Sequence, residues 1–122
     1  MDKTIGTIGS ELNLKFRQGA TFGPYVLTIT NADKTPIDLS LYVFLAKIKK
    51  RYSSSTILAN VDFIPVDLVN GKVSISISSL TTSLLKGNPD GNAEYVWDAE
   101  MTDSLGQVES LFYGTVESFS NV

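Results

Sequence analysis

The feature that most constrains the fold of this chain is a long alternating stretch between residues 93 and 116. From Tyr95 to Thr102, apolar side chains occupy every second position, which is the period of a β-strand with one buried face. Residues 103–106 read Asp-Ser-Leu-Gly, a turn sequence in which Asp opens the turn and Gly accepts a positive φ. The chain then returns through aromatic and branched residues. We therefore predict a β-hairpin that forms the platform of the fold, with Trp97 anchoring the core.

Four further segments show the strand period. Residues 12–16 and 25–30 alternate apolar and polar side chains on either side of a break at residues 19–24, which contains two Gly and a Pro. Residues 57–64 predict a strand that Pro65 ends, with these side chains pointing inward: Ile57, Ala59, Val61 and Phe63. Residues 72–78 alternate most regularly, and we predict Val73, Ile75 and Ile77 inside and Ser74, Ser76 and Ser78 outside.

Turn and helix signals separate these strands. Asn70-Gly71 is a strong turn sequence. Residues 79–86 predict the one short helix, capped by Ser79 at its start and ended by Gly87 in the left-handed region. Its apolar face is expected to contain Leu80, Leu84 and Leu85.

This order of elements predicts an all-β fold, an immunoglobulin-like antiparallel β-sandwich of about seven strands with one short helix. A local pattern supports the immunoglobulin-like form. Tyr95 and Trp97 have the spacing of a tyrosine corner, with Trp97 at the place of the second Cys of an immunoglobulin domain. There are no internal repeats and no alternation of strands with helices.

The N-terminus differs from the rest of the chain. Residues 1–11 contain Gly6 and Gly9 and few apolar side chains, so we predict an extended arm there and a single sandwich domain over residues 12–122. The arm holds two isolated apolar side chains, Ile5 and Ile8. We expect such a segment to order along a strand edge of another chain, where backbone pairing supplies affinity.

The strand predicted over residues 41–51 is apolar on both faces at its start. Tyr42, Phe44, Ala46 and Ile48 form one face, and Leu41, Val43 and Leu45 begin the other face before Lys47, Lys49 and Arg51 follow. Two explanations are open: a loop or the N-terminal arm covers the second face, or a neighbouring subunit does. The candidate protein-interface residues are accordingly Ile5, Ile8, Leu41, Val43 and Leu45.

Composition excludes several classes of function. The chain has no Cys and no His, which excludes disulfides, thiolate or imidazole metal sites, and Ser-His-Asp or Cys-His catalysis. A net charge of −3 argues against general affinity for nucleic acid or anionic membranes. No signal core follows Met1, and no apolar run is long enough to span a bilayer, so we expect a protein that folds in the cytosol.

Three groups of polar residues are candidate sites. Oxygen ligands alternate over residues 88–94, but the spacing lacks the Gly and Glu of a calcium loop, so a polar turn is the favoured interpretation. Residues 47–52 form a small basic patch, typical of a solvated strand end. The carboxylates that could serve acid–base chemistry are scattered along the chain and no pattern marks a cleft around them: Asp62, Asp67, Asp98, Glu100 and Asp103. We predict no enzymatic activity, no metal and no cofactor.

A series of short motifs resembles a known family. In order they are GATF (19–22), PIDLS (36–40), AKI (46–48), GKVSI (71–75), Leu84, Gly87, YVWD (95–98), GQV (106–108), Leu111 and GTV (114–116). Together they are similar to the immunoglobulin-like β-sandwich domains of tailed-phage baseplate and tail-fibre proteins, including the N-terminal domains of baseplate upper proteins. The resemblance spans roughly residues 12–117.

The resemblance implies a non-enzymatic structural protein of the virion, an adaptor in the baseplate or at a tail-fibre attachment point. Its implied partners are other baseplate or tail-fibre subunits, possibly with copies of itself, and neither nucleic acid nor membrane. The implied location is the virion tail, after synthesis in the host cytoplasm. The alternative is a carbohydrate-binding or capsid-decorating β-sandwich module, for which Tyr52 and Tyr113 are the candidate exposed aromatics.

Overall fold

The computed structural model describes residues 2–7, 10–31, 33–87 and 95–120, with side chains from residue 11 onward, and these residues form two β-sheets. The first sheet has the strand order β1-β4-β8-β7, and the second has the order β2-β10-β9-β5-β6, with β3 also paired to β10. The strands of the first sheet are β1 (Asp2–Thr7), β4 (Phe22–Thr30), β7 (Asp62–Asp67) and β8 (Lys72–Ile77). Those of the second are β2 (Ser10–Glu11), β3 (Leu14–Arg17), β5 (Val43–Lys49), β6 (Ala59–Asn60), β9 (Tyr95–Thr102) and β10 (Val108–Phe119).

This architecture confirms the predicted all-β sandwich. Seven of the described strands have six or more residues, and the only α-helix among the described residues is α1 (Ser79–Thr82). One cluster of buried apolar side chains, drawn from both sheets, forms the core. The strands pair antiparallel except at the N-terminus, where β1 runs parallel to β4 and both β2 and β3 run parallel to β10. No described helix is long and apolar enough to cross a membrane.

The predicted hairpin is the centre of the second sheet. β9 pairs antiparallel with β10 from Tyr95 opposite Val116 to Thr102 opposite Val108, and buried and half-buried residues alternate along β9. The turn forms as expected, since the Asp103 carboxylate accepts hydrogen bonds from two backbone N–H groups and Gly106 has a φ of +83°.

Two aromatic side chains tie the hairpin to distant backbone. The Trp97 indole is buried, and its Nε1–H donates to the carbonyl of Leu12 over 2.6 Å. The Tyr95 hydroxyl donates to the carbonyl of Lys86 over 3.1 Å, the upstream backbone bond that defines a tyrosine corner. The predicted role of Trp97 as a core residue is confirmed.

The helix is shorter than expected and differently arranged. α1 spans four residues, and its N-cap is Ser78, whose Oγ accepts from the N–H of Thr81. Leu80 and Leu84 are exposed, whereas Leu85 is buried, so the three do not share a buried face. Gly87 is not in the left-handed region. It is instead a contact point, because a Cβ there would clash with the backbone of Phe119.

The predicted strand over residues 57–64 divides between the two sheets. β6 ends at Asn60 in the second sheet, and β7 begins at Asp62 in the first. Ile57 is exposed rather than inward. Pro65 lies within β7 and does not end it, which an edge strand tolerates because one side of its backbone needs no partner.

The outer side of β8 also differs from expectation at one position. Ser74 is buried, although the alternation had placed it in solvent with Ser76 and Ser78. β8 is an interior strand, and Ser74 lies between Val26 of β4 and Ile64 of β7. Apolar residues on both neighbouring strands therefore flank a serine that the apolar–polar alternation alone would place in solvent.

The N-terminal segment was expected to lie free of the sandwich. The structure instead places Asp2–Thr7 as the edge strand β1, with Ile5 opposite Ile29 of β4 in parallel register. Ser10–Glu11 then joins the other sheet beside β10. Backbone pairing accounts for this placement, since an extended segment satisfies its N–H and C=O groups along an available sheet edge.

Candidate protein-interaction face

The outer face of the second sheet is arranged in cross-strand rows. Residues directly opposite each other in an antiparallel sheet project on the same side. Val43, Thr102 and Val108 form one such row across β5, β9 and β10, and the next row contains Leu45, Glu100 and Ser110. The inner side of the same strands carries the buried residues, among them Ala46, Ile48 and Trp97. The strand period thus separates a core face from an outer face.

One end of this outer face carries exposed apolar side chains, which we call the apolar patch: Leu41, Val43, Leu45, Leu105 and Val108. Val43 is 72 % exposed and Leu45 51 % exposed. Leu105 lies in the β9–β10 turn and is 84 % exposed. No described loop or strand covers these side chains, so a covering loop, the first of the two explanations, is not found among the described residues, and a neighbouring subunit stays a prediction. Clustered exposed apolar residues are typical of contact surfaces.

The five residues proposed as interface candidates do not all lie together. Leu41, Val43 and Leu45 are in the apolar patch. The backbone of Ile5 lies in the first sheet, away from that face, and its side chain is outside the described part of the structure. Ile8 lies outside the described residues altogether. The structure therefore does not bring the N-terminal arm onto the strand that was expected to receive it.

Leu105 and Val108 were missed by the sequence analysis. Leu105 was assigned only to a turn, and the exposure of Val108 depends on a bulge in β10. The register with β9 shifts between Ser110 and Phe112, so that Leu111 and Phe112 are both buried. This shift breaks the simple period of two that a sequence reading would extend through β10. The available signal was the apolar character of Leu105 within an otherwise polar turn.

A charged pair adjoins the patch. Lys47 Nζ lies 3.0 Å from Glu100 Oε1, on neighbouring strands. The hydrogen bond that Lys47 donates to the Glu100 carboxylate raises the pKa of Lys47, and the negative charges of Glu100 and Asp98 raise it further. Lys47 therefore stays protonated, and because the negative charge of Glu100 balances it, Lys47 does not contribute to an open basic patch over residues 47–52.

Two tyrosines lie near one another further along the face. Tyr52 and Tyr113 are about half exposed, and the Tyr52 hydroxyl donates to the carbonyl of Gly114 over 3.0 Å. Partial burial raises the pKa of Tyr52, the hydrogen bond to Gly114 acts in the opposite direction, and the charges of Asp98 and Glu11 raise it further. Oδ1 of Asp98 is buried and has no hydrogen-bond partner among the described residues. This group combines aromatic rings with a carboxylate on one surface.

The scattered carboxylates do not converge on a reaction centre. Asp62 and Asp67 are in β7 of the first sheet, whereas Asp98 and Glu100 are in β9 of the second and Asp103 is in the turn that follows. Glu100 accepts a hydrogen bond from Lys47 and forms an ion pair with it. The described residues contain no group of three or more acidic side chains placed to hold a metal ion. The calcium-loop alternative at residues 88–94 lies outside the described residues.

Comparison of the chain with protein-family models and with curated proteins finds no match to either. The geometry of the outer face is therefore the basis for assigning a function.

Proposed function

We propose that this chain is a non-enzymatic structural protein of a tailed-phage virion, acting as an adaptor in the baseplate or at a tail-fibre attachment point. Its partners are other virion proteins, and the domain belongs to the immunoglobulin-like sandwiches found in such assemblies. The proposal combines the motif resemblance over residues 12–117 with a β-sandwich that has a tyrosine corner at Tyr95. Fold alone does not specify function, so the proposal depends on the surface.

The observation that carries the proposal is the apolar patch. Val43 and Leu45 extend from a regular strand of a sheet and remain exposed, although their neighbours Ala46 and Ile48 are buried in the core. Exposure on a rigid strand is suited to docking, because little conformational entropy is lost when a partner covers the side chains. An adaptor needs such a preformed surface.

The test is to locate the chain in purified particles. Phage particles encoded by the genome that carries this gene are purified, analysed by mass spectrometry and imaged by electron cryomicroscopy. We expect the chain in the particle, with density for the sandwich at the baseplate or at the base of a tail fibre. Absence from purified particles contradicts a virion role, and density on the capsid shell favours a decorating protein instead.

The second candidate function is carbohydrate binding, which the pair Tyr52 and Tyr113 favours. Exposed tyrosine rings stack on sugar faces, and the nearby Asp98 carboxylate is an acceptor for sugar hydroxyls. Glycan-array binding that is lost in both Tyr52→Ala and Tyr113→Ala supports this candidate. Absence of glycan binding by the intact chain removes it.

A further inference from the structure

Strand β5 has an open backbone edge beside the apolar patch. On one side, β5 pairs with β9 from Val43 to Lys49. On the other side, β6 pairs only with Lys47 and Ile48. β6 is the last strand of this sheet, so the first part of β5 has a partner on one side only among the described residues.

Hydrogen bonds further along β5 show where the free groups point. The carbonyl of Ala46 accepts from the N–H of Val61 over 3.1 Å, and the carbonyl of Ile48 accepts from the N–H of Leu58 over 2.8 Å. In a strand, residues two apart direct their backbone groups to the same side. The N–H and C=O of Phe44 therefore point to the open side, where no described residue bonds them.

The gap exists because the chain changes sheets. The chain stays beside β5 through β6 and Val61 and then crosses into the first sheet, where β7 begins at Asp62. The Phe44 ring stacks on Phe63 of β7 at 5.5 Å between ring centres, which fixes the inner side of the opening. The slot that a longer β6 would fill is left open beside residues 42–45.

The open edge has side-chain features that define what fits it. Val43 and Leu45 of the apolar patch flank Phe44 on the outer face. At the end near Leu41 is a cavity of about 280 Å³ whose lining residues include Asp38 and Asp103. Asp38 accepts hydrogen bonds from Ser40, and Asp103 accepts from the N–H groups of Leu105 and Gln107, so both carboxylates are held in place as acceptors. A partner segment lying along this edge would therefore contact the free backbone groups of Phe44, the apolar side chains of Val43 and Leu45, and the acidic residues at the Leu41 end.

We propose that this edge binds an extended segment of a partner protein by β-strand addition, and that the segment alternates apolar residues and then carries a Lys or Arg. The backbone of the segment pairs with Phe44, its apolar side chains cover Val43 and Leu45, and its cation lies between Asp38 and Asp103. An antiparallel segment continues the direction of β6, so its basic residue is C-terminal to its apolar ones. The inference rests on the proposed function only in requiring a protein partner.

The first test uses the isolated chain and needs no virion. A displayed library of random linear nine-residue peptides is selected against the immobilised protein, and the enriched peptides are synthesised. We expect alternating apolar residues followed by Lys or Arg. Enrichment without a basic residue, or no enrichment, contradicts the proposal. If analytical ultracentrifugation shows copies of the chain pairing through this edge, the occupant is a second copy and the proposal is wrong.

Variants locate the binding site. Val43→Lys should weaken binding of a selected peptide about tenfold or more, the cost of losing one apolar side-chain contact. Asp38→Asn and Asp103→Asn keep the turn-forming oxygens and should each weaken it about twofold to fivefold, the range for an exposed ion pair. Leu84→Lys is the matched control, because Leu84 is similarly exposed and follows Ser83, whose carbonyl accepts from Gln18 rather than from β5. Equal effects of Val43→Lys and Leu84→Lys overturn the proposal.

Amide hydrogen exchange tests the backbone part separately. In the free protein we expect the Phe44 N–H to exchange much faster than the N–H of Leu45, which points toward β9. Saturation with a selected peptide should slow exchange at Phe44 and leave Leu45 unchanged. Slow exchange at Phe44 in the free protein means that the edge is already covered. Because both tests use isolated protein, they stand or fall independently of where the chain lies in a particle.

Discussion

Trp97 shows how one side chain connects three parts of the sequence. The indole is buried in β9, and the residue opposite it in β10 is Gly114. Because Gly114 has no side chain, the indole N–H reaches the carbonyl of Leu12 on the far side of β10. The N–H of Leu12 in turn donates to the carbonyl of Tyr113 over 2.8 Å. The backbone N–H and C=O of Leu12 are thus both bonded to the hairpin, which holds the N-terminal segment in place.

Substitution of Trp97 tests this connection. Trp97→Ala should lower the free energy of unfolding by about 3–5 kcal/mol through loss of buried area and creation of a cavity. Trp97→Phe keeps most of the ring but leaves the Leu12 carbonyl without its donor, a loss of about 1–3 kcal/mol. Urea unfolding measures both, with Leu84→Ala as an exposed control. Equal stability of Trp97→Phe and the wild type would show that the indole hydrogen bond contributes nothing.

Asp38 gives a prediction about pH. Ser40 donates to its Oδ1 from Oγ over 2.6 Å and from the backbone N–H over 3.0 Å, and these bonds lower the pKa of Asp38 below 3.8. A lowered carboxyl pKa adds stability above the unfolded pKa, and this contribution is lost as pH falls through the folded pKa. Ser40→Ala removes the stronger donor and should raise the Asp38 pKa toward 3.8. Carboxyl-carbon NMR titration measures it, with Asp33 as the unchanged reference.

At the scale of elements, β10 depends on close backbone approach. A Cβ at Gly114 would clash with the carbonyl oxygen of Leu12 and lie 2.7 Å from Oδ1 of Asn13, whose position is fixed by accepting from the N–H of Thr115. Gly114→Ala should therefore destabilise the domain by about 1–3 kcal/mol, since backbone must move to relieve the clash. Ser110→Ala, exposed on the same strand, is the control in urea unfolding. An unchanged midpoint for Gly114→Ala would contradict this packing.

Strand β1 gives the second prediction at this scale. Deletion of residues 2–7 removes the edge partner of β4, whose Leu27 and Ile29 are buried in the core. We expect the melting temperature to fall by at least about 4 °C, corresponding to roughly 1 kcal/mol in a domain of this size. Differential scanning calorimetry measures it. A shift below one degree would mean that β1 contributes nothing to the folded chain and is free to pair elsewhere.

The elements that could be predicted from sequence are those set by local pattern. The hairpin, its turn and the buried faces of β4 and β8 follow from a period of two and from turn residues. The passage from β6 to β7 after Val61 could not be predicted, because nothing in residues 57–64 distinguishes one long strand from two. The pairing of β1 with β4 joins residues far apart in sequence. Within the candidate site, Leu41, Val43 and Leu45 were found by their apolar character, but the open edge at Phe44 exists only through tertiary pairing.

At the scale of the whole molecule, the two sheets together form the core, and the second sheet alone carries the proposed docking surface. The core lies between them, and both the apolar patch and the open edge of β5 lie at the end of the second sheet that contains the β9–β10 turn. The hairpin that supplies Trp97 to the core also presents Leu105 and Val108 to solvent. A partner at this end would therefore contact the same hairpin that supplies Trp97 and Met101 to the core.

This arrangement predicts that assembly and stability can be separated. The double substitution Val43→Lys and Leu45→Lys changes exposed side chains whose neighbours remain buried, so the melting temperature should stay within a few degrees of the wild type. Incorporation into particles, measured by quantitative mass spectrometry after complementation, should fall at least about tenfold, because two lysines at the centre of an apolar contact must be desolvated without partners. Leu80→Lys with Leu84→Lys, which are 81 % and 75 % exposed near α1, is the matched control and should incorporate normally. Equal incorporation of both double variants would show that the apolar patch is not the attachment surface, whereas loss of incorporation in both would place the contact on a wider surface than β5 and its neighbours.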